Sequence, residues 1–157
     1  MIIGWREWAS LPAFGVNAIK AKIDTGARTS AIHAFHLHCW YDSEQQAHVS
    51  FRLHPRQRHR APEVAVTAPV VEWRSVKSSN GKVEKRPVVR TRLKLGPMEQ
   101  TVLLTLTNRD EMGFRMLIGR EALKRRFIVD SALSYGLGEK PRKTPFVDVS
   151  TLEGQAP

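Results

Sequence analysis

Apolar and polar positions alternate with a period of two along several stretches of the chain, the spacing of a strand with one buried face. Ile19, Ala21 and Ile23 alternate with Lys20, Lys22 and Asp24. Between Val88 and Leu95, β-branched or aliphatic residues alternate with Arg90, Arg92 and Lys94. Thr101 to Thr107 (TVLLTLT) is apolar on both faces, which predicts a buried strand. Val64 and Val66, then Val70 and Val71, predict one or two more, with Pro69 as a break or edge because it cannot donate to a ladder. Phe114 to Ile118 is a further short apolar run. Turn signals separate these runs: Asn80-Gly81, both tolerant of the positive φ of a type I′ hairpin, then Gly96-Pro97 and Asn108-Arg109-Asp110. Only Arg120 to Arg126 (REALKRR), opening after Gly119, is rich in helix formers. Many short strands and one late helix predict a mostly β protein, a closed or nearly closed barrel. Periodicity fades near the end, which predicts a domain over 1–138 and a flexible tail over 139–157.

Composition narrows this picture. The chain has 157 residues, 41% hydrophobic and 25% charged, enough for one independent core. No apolar run approaches the roughly 20 residues that span a bilayer, and the first residues lack the basic and apolar regions of a secretory leader. A single cysteine, Cys39, excludes an internal disulfide framework; its apolar-aromatic neighbours predict a buried, inert thiol. The expected compartment is cytoplasmic. A formal net charge of +10 favours acidic partners, whether nucleic acid, anionic lipid or acidic polypeptide, unless it only solvates the surface.

Candidate chemistry begins where the first alternating strand ends, at Asp24-Thr25-Gly26. A strand end can hold a carboxylate rigidly, the Thr25 hydroxyl can hydrogen-bond, and Gly26 permits close approach of backbone or ligand. For the triplet alone, a plain Asx-type turn after a strand is the favoured reading. A second element, Phe114 to Leu123 (FRMLIGREAL), places an apolar strand before Gly119, Arg120 and the short helix.

Together the two elements resemble the retropepsin-like aspartic peptidases. The matching residues are Asp24, Thr25, Gly26 and Ala27, then Leu117, Ile118, Gly119 and Arg120. The longer strings AIKAKIDTGARTSAIHAF, TLTNRDEMGFRMLIGREAL and FIVDSALSY are similar to a bacterial branch labelled ATP-dependent zinc protease, over about Ile3 to Tyr135. The resemblance implies a closed acid-protease barrel and a homodimer, since one chain carries one triplet and the chemistry needs two carboxylates. Two Asp24 side chains in contact would share a proton, one acting as base on a water and the other polarising the peptide carbonyl. It also implies an interlocking hydrogen bond for Thr25, a cleft-lining Gly26, structural roles for Gly119 and Arg120, and a flap. Trp73 to Val89 is the candidate flap, with Asn80 and Gly81 at a substrate-facing tip.

Retroviral enzymes usually carry an Asp four residues after the catalytic one, where this chain has Arg28. A guanidinium there, followed by Thr29, suits an acidic side chain of the substrate; a salt bridge within the loop is the equal alternative. Branch members are associated with glutamate-ligase systems that extend a ribosomal protein with poly-glutamate, which implies an acidic or poly-glutamate-tailed substrate. Zinc finds little support and ATP less: there is neither HExxH nor GxxxxGK[ST]. His33, His36, His38 and Cys39 would alternate between two strand faces, so the reading has no metal and no cofactor. The competing reading is a non-catalytic basic barrel that binds RNA or a ribosomal surface through Arg52 to Arg60 and Lys82 to Lys94. Its weakness is the few aromatics, which lack an interleaved stacking pattern.

Overall fold

Six strands close on themselves in the computed structural model, which describes residues 1–56, 62–77, 80–108 and 113–141. The chain opens with β1 (Ile2–Ile3), β2 (Arg6–Leu11) and β3 (Val16–Asp24), with a 3-10 turn at Pro12–Phe14 between the last two. Next come β4 (Ser30–His33), β5 (Phe35–Tyr41), β6 (Ala47–Leu53), β7 (Val64–Pro69) and β8 (Glu72–Lys77). The long β9 (Val83–Leu95) and β10 (Met98–Thr107) precede β11 (Met116–Gly119), α1 (Arg120–Leu123) and β12 (Ile128–Val129). The barrel runs β10-β4-β11-β3-β2-β9 and closes through the antiparallel β9–β10 pair. The protein is therefore mostly β, a closed six-stranded barrel with one short helix.

Closure follows from the alternation. In β3 the odd-facing Ile19, Ala21 and Ile23 are buried, as are Val89, Thr91, Leu93 and Leu95 of β9. Burial of Val102, Leu104, Thr105 and Leu106 agrees with the doubly apolar reading of β10, which touches β9 on one edge and β4 on the other. The first half of β9 leaves the barrel to pair with β8, forming a hairpin. A separate antiparallel sheet, β5-β6-β7, joins the same core through Val49, Phe51 and Leu53. There Phe51 meets Phe14 edge-on, with ring centroids 5.7 Å apart. Pro69 ends β7, and the chain crosses to the barrel for β8.

Several expectations needed correction. The helix is a single turn: Arg125 takes φ 66°, and the Arg120–Arg126 segment stops helical pairing so that β12 can run parallel to β1. Asn80-Gly81 does not form a two-residue type I′ turn, because residues 78–82 separate Lys77 from its partner Val83; Gly81 has φ 85°, while Asn80 is not in the left-handed region. Cys39 is exposed rather than buried, since β5 lies on the outer part of the small sheet; partial burial still pushes its thiol pKa up. His36 breaks the simple two-face alternation with φ 52° at a register shift between Phe35 and His38. Part of the turn at Asn108, part of the basic Arg52 to Arg60 segment and tail residues 142–157 lie outside the described residues.

Candidate active site

Asp24 is the last residue of β3, and in the parallel register it stands beside Gly119, the last residue of β11. The two sequence motifs, almost a hundred positions apart, are thus neighbours on adjacent strands. Asp24 Oδ1 accepts the backbone N–H of Gly26 at 2.9 Å and of Ala27 at 3.2 Å, which is an Asx-type turn. Its Oδ2 has no hydrogen bond among the described residues. The turn therefore orients the carboxylate through one oxygen and leaves the other for chemistry.

The second motif fastens this loop. Arg120 N–H donates to Ala27 O at 2.8 Å and Glu121 N–H to Arg28 O at 3.1 Å, so loop carbonyls take the first donors of α1. Arg120 Nη1 reaches Gly26 O at 3.2 Å and Thr25 O at 3.5 Å. Gly119 N–H donates to Ser30 Oγ at 3.1 Å. A Cβ on Gly119 would stand 2.5 Å from Thr29 O and 2.6 Å from Thr29 C, both backbone atoms. Only glycine lets the Asp24 loop and β11 approach this closely.

Asp24 opens on a cleft of about 500 Å³. Thr29 of the preceding loop and Ala31 of β4 line it, with Met116 and Leu117 from β11, and Arg74 to Lys77 of β8 from the hairpin side. The hairpin thus supplies a wall through its β8 strand, while Asn80 and Gly81 are not among the lining residues. Asn80 Oδ1 instead accepts the Lys82 N–H at 3.2 Å. Thr25 and Gly26 are exposed beside Asp24, and the Thr25 hydroxyl makes no hydrogen bond among the described residues.

Arg28 does not line the cleft. Its Nε donates to Glu121 Oε1 at 2.8 Å, a bridge to the helix rather than within the loop. That hydrogen bond, ahead of the charge itself, holds the Glu121 carboxyl below the usual range and raises Arg28. The cleft's own cations are others: Lys22, Arg74, Lys77 and Arg115 line it, with Asp24 as the one carboxylate among its lining residues. Arg74 also pairs with Glu72 at 2.7 Å. Sequence reasoning missed this set. Lys22 was findable, two positions before Asp24 on the same strand face, but Arg74, Lys77 and Arg115 arrive through tertiary pairing.

The branch label names zinc. Among the described residues no group of three His, Cys, Asp or Glu side chains is placed to hold a metal ion. His38 instead stacks on Trp40, and Trp40 on His48, whose Nε2 lies 2.7 Å from Asp42 Oδ2. No helix among the described residues is long and apolar enough to cross a membrane.

The family model described as the retropepsin-like aspartic endopeptidase RimB matches residues 2–140, both motifs and the hairpin included. The chain belongs to this RimB-like family. Over 139 residues, 88% of its length, it is 50% identical to a protein of Shewanella pealeana named "Probable alpha-L-glutamate ligase". It is 46% identical over 143 residues, 91% of its length, to a protein of the same name from Desulfotalea psychrophila. The chain spans only 30% and 31% of those two relatives, so the ligase name describes much longer proteins. A crystal structure of a Legionella pneumophila protein of unknown function shares the RimB-like chain's fold, with a TM-score of 0.71 and 28% identity over 87% of this chain and 98% of that one.

Proposed function

We propose that this RimB-like chain is an aspartic endopeptidase that works as a homodimer and hydrolyses an acidic peptide, a poly-glutamate extension such as one on a ribosomal protein. The observation that carries the reading is the Asp24 carboxylate, tied to backbone by one oxygen and lining a cleft with four basic side chains. One carboxylate cannot both activate a water and protonate the peptide carbonyl, so the second comes from Asp24 of another copy. The exposed Thr25 hydroxyl is available to bond across that contact. Two adjoining carboxyls cannot both ionise; one deprotonates the water while the other, protonated, donates to the carbonyl oxygen.

The cationic lining supports the acidic substrate. Glutamates entering the cleft exchange water for Lys22, Arg74, Lys77 and Arg115, and the +10 surface steers them in. Arg28 already serves Glu121, so it acts on substrate only through its remaining donors. The ligase name of the longer relatives fits a chain that removes what a ligase domain adds. No step is routed through zinc or ATP.

Incubation with a glutamate-tailed peptide and a matched lysine-tailed control tests the reading. Expected are cleavage of the acidic peptide alone, a rate that falls as salt screens charges beyond about 10 Å, and second-order dependence on protein at low concentration. Equal cleavage of both peptides, or full activity of Asp24→Asn, overturns it. Hydrolysis that begins only when zinc is added would overturn the metal-independent chemistry.

A further inference from the structure

The outer face of β2 and β3 carries a ladder in which aromatic rings and cations alternate. It starts at the cleft, where Phe114 lines the wall and meets Trp5 edge-on at 5.9 Å. The Arg6 guanidinium lies between two rings, 4.7 Å from the centroid of Trp5 and 4.9 Å from that of Tyr135. Tyr135 stacks on Trp8 at 5.7 Å, and Trp8 holds Lys20 at 5.8 Å and Lys140 at 5.3 Å. The strand register makes this one surface: Arg6 pairs with Lys22, Trp8 with Lys20, and Ser10 with Lys94. Beyond Trp8 the surface dips into a hollow of about 360 Å³, lined in part by Lys94, Leu137 and Pro141 and by one carboxylate, Glu139.

Three facts characterise this face, of which the cation–π contacts separate it from other cations unpaired among the described residues, such as Lys124 and Arg126. Arg28, Arg52, Arg74, Arg86 and Arg92 each pair with a carboxylate. Arg6, Lys20, Lys22, Lys94 and Lys140 form no ion pair among the described residues. Cation–π contacts position three of them, which lowers the side-chain entropy lost on binding. Lastly, Tyr135 is held at φ 55°, an unusual backbone region for a bulky residue, with its N–H on Arg6 O at 2.9 Å.

We infer that this ladder is an extended docking track for an acidic polypeptide, continuous with the Asp24 cleft through Lys22. The inference rests on the proposed peptidase reading for its substrate and goes beyond it in assigning a second binding surface. Lys20, Lys22 and Asp24 follow one another on one face of β3, so Lys20 lies about 13 Å from Asp24 along an extended strand. A tail whose scissile bond sits at Asp24 reaches Lys20 with about four further residues and Lys140 and Lys94 with a few more. Carboxylates suit the track better than nucleobases. Tyr135, Lys20 and Lys140 already occupy contacts with Trp8, and Trp5 and Tyr135 enclose Arg6, which leaves charge rather than open rings to offer.

Binding of fluorescein-labelled decaglutamate to the Asp24→Asn chain, read by anisotropy, separates this claim from catalysis. Lys20→Ala with Lys140→Ala should weaken binding about five- to tenfold, since each is a solvent-accessible charge contact. Lys124→Ala with Arg126→Ala removes the same charge elsewhere and should weaken it about twofold or less. Lys20→Arg with Lys140→Arg should restore affinity, and triglutamate should be insensitive to either pair. Equal losses from the two alanine pairs, or no binding of decaglutamate, overturn the track. So does oligouridylate that depends on Lys20 and Lys140 more strongly than decaglutamate does, which would make the face an RNA surface. Track-dependent binding by a wild-type chain that hydrolyses nothing would leave the track standing and remove the peptidase.

Discussion

Two carboxylates, Glu7 and Asp24, are both bound by backbone N–H groups, and the difference between them separates holding a fold from preparing a reaction. Glu7 is fully buried in β2. Its Oε2 accepts Gly4 at 2.6 Å and Gly136 at 2.8 Å, and its Oε1 accepts Leu137 at 3.0 Å. Both oxygens are used, and residues more than a hundred positions apart are fastened together. Asp24 is half-buried, takes two N–H donors on a single oxygen and keeps the other clear. A fully satisfied carboxylate stabilises; one that is oriented but half-satisfied can bind water or substrate.

The largest effect expected from breaking this contrast is on turnover. Asp24→Asn should lower cleavage of a glutamate-tailed peptide by about 10²–10⁴-fold, the usual contribution of a proton-transfer group. Its thermal midpoint should stay near that of the parent, and a large drop would show that Asp24 is structural like Glu7. The reverse holds for Glu7→Gln, whose amide turns a donor toward donors. A stability loss of about 3 kcal/mol, the upper range for a hydrogen bond to a charged group, should appear as a shifted urea midpoint, with cleavage per folded molecule preserved.

A smaller loss is expected for Gly119→Ala. The new methyl meets the Thr29 backbone, which should cost about 1–3 kcal/mol as overpacking and lower activity as the Asp24 loop moves. Ser30→Ala removes only the acceptor for Gly119 N–H and should do less to both readouts. The smallest effect concerns pH. Arg28 depresses the folded-state pKa of Glu121, so the bridge contributes above the unfolded carboxylate value and is lost as pH falls through the lower folded one. Thermal midpoints below about pH 4 should therefore fall slightly more steeply for the parent than for Glu121→Gln. Parallel curves would show that this exposed pair contributes nothing.

Legibility followed the length of the pattern. β3, β9 and β10 alternate or stay apolar over many residues, and the sequence alone identified them. β5 was read only as a strand carrying histidines, and β6 escaped notice although Ala47, Val49, Phe51 and Leu53 alternate with His48, Ser50 and Arg52. The helix was overextended: Lys124, Arg125 and Arg126 favour helix locally, yet the chain must turn back at once to place Ile128 against Ile2. Within the site, Asp24, Gly119 and Arg120 stood out because their neighbours form specific strings. Ser30 and Glu121 carried no such signal, since a lone serine or glutamate means nothing until a partner is beside it.

By itself the sequence determined the fold class, the two motifs and the excess of positive charge, because each is a property of residue type and spacing along the chain. Only the tertiary structure decided where that charge goes. Parallel pairing of β3 with β11 puts Gly119 beside Asp24, and the β8–β9 hairpin brings Arg74 and Lys77 to the cleft. Arg28, two residues past the triplet, is tied to Glu121, whereas Lys22, two residues before it, forms no ion pair among the described residues, nor do Lys20 and Lys140. Coulomb interactions depend on distance in space, which strand register and barrel closure set and separation along the chain does not.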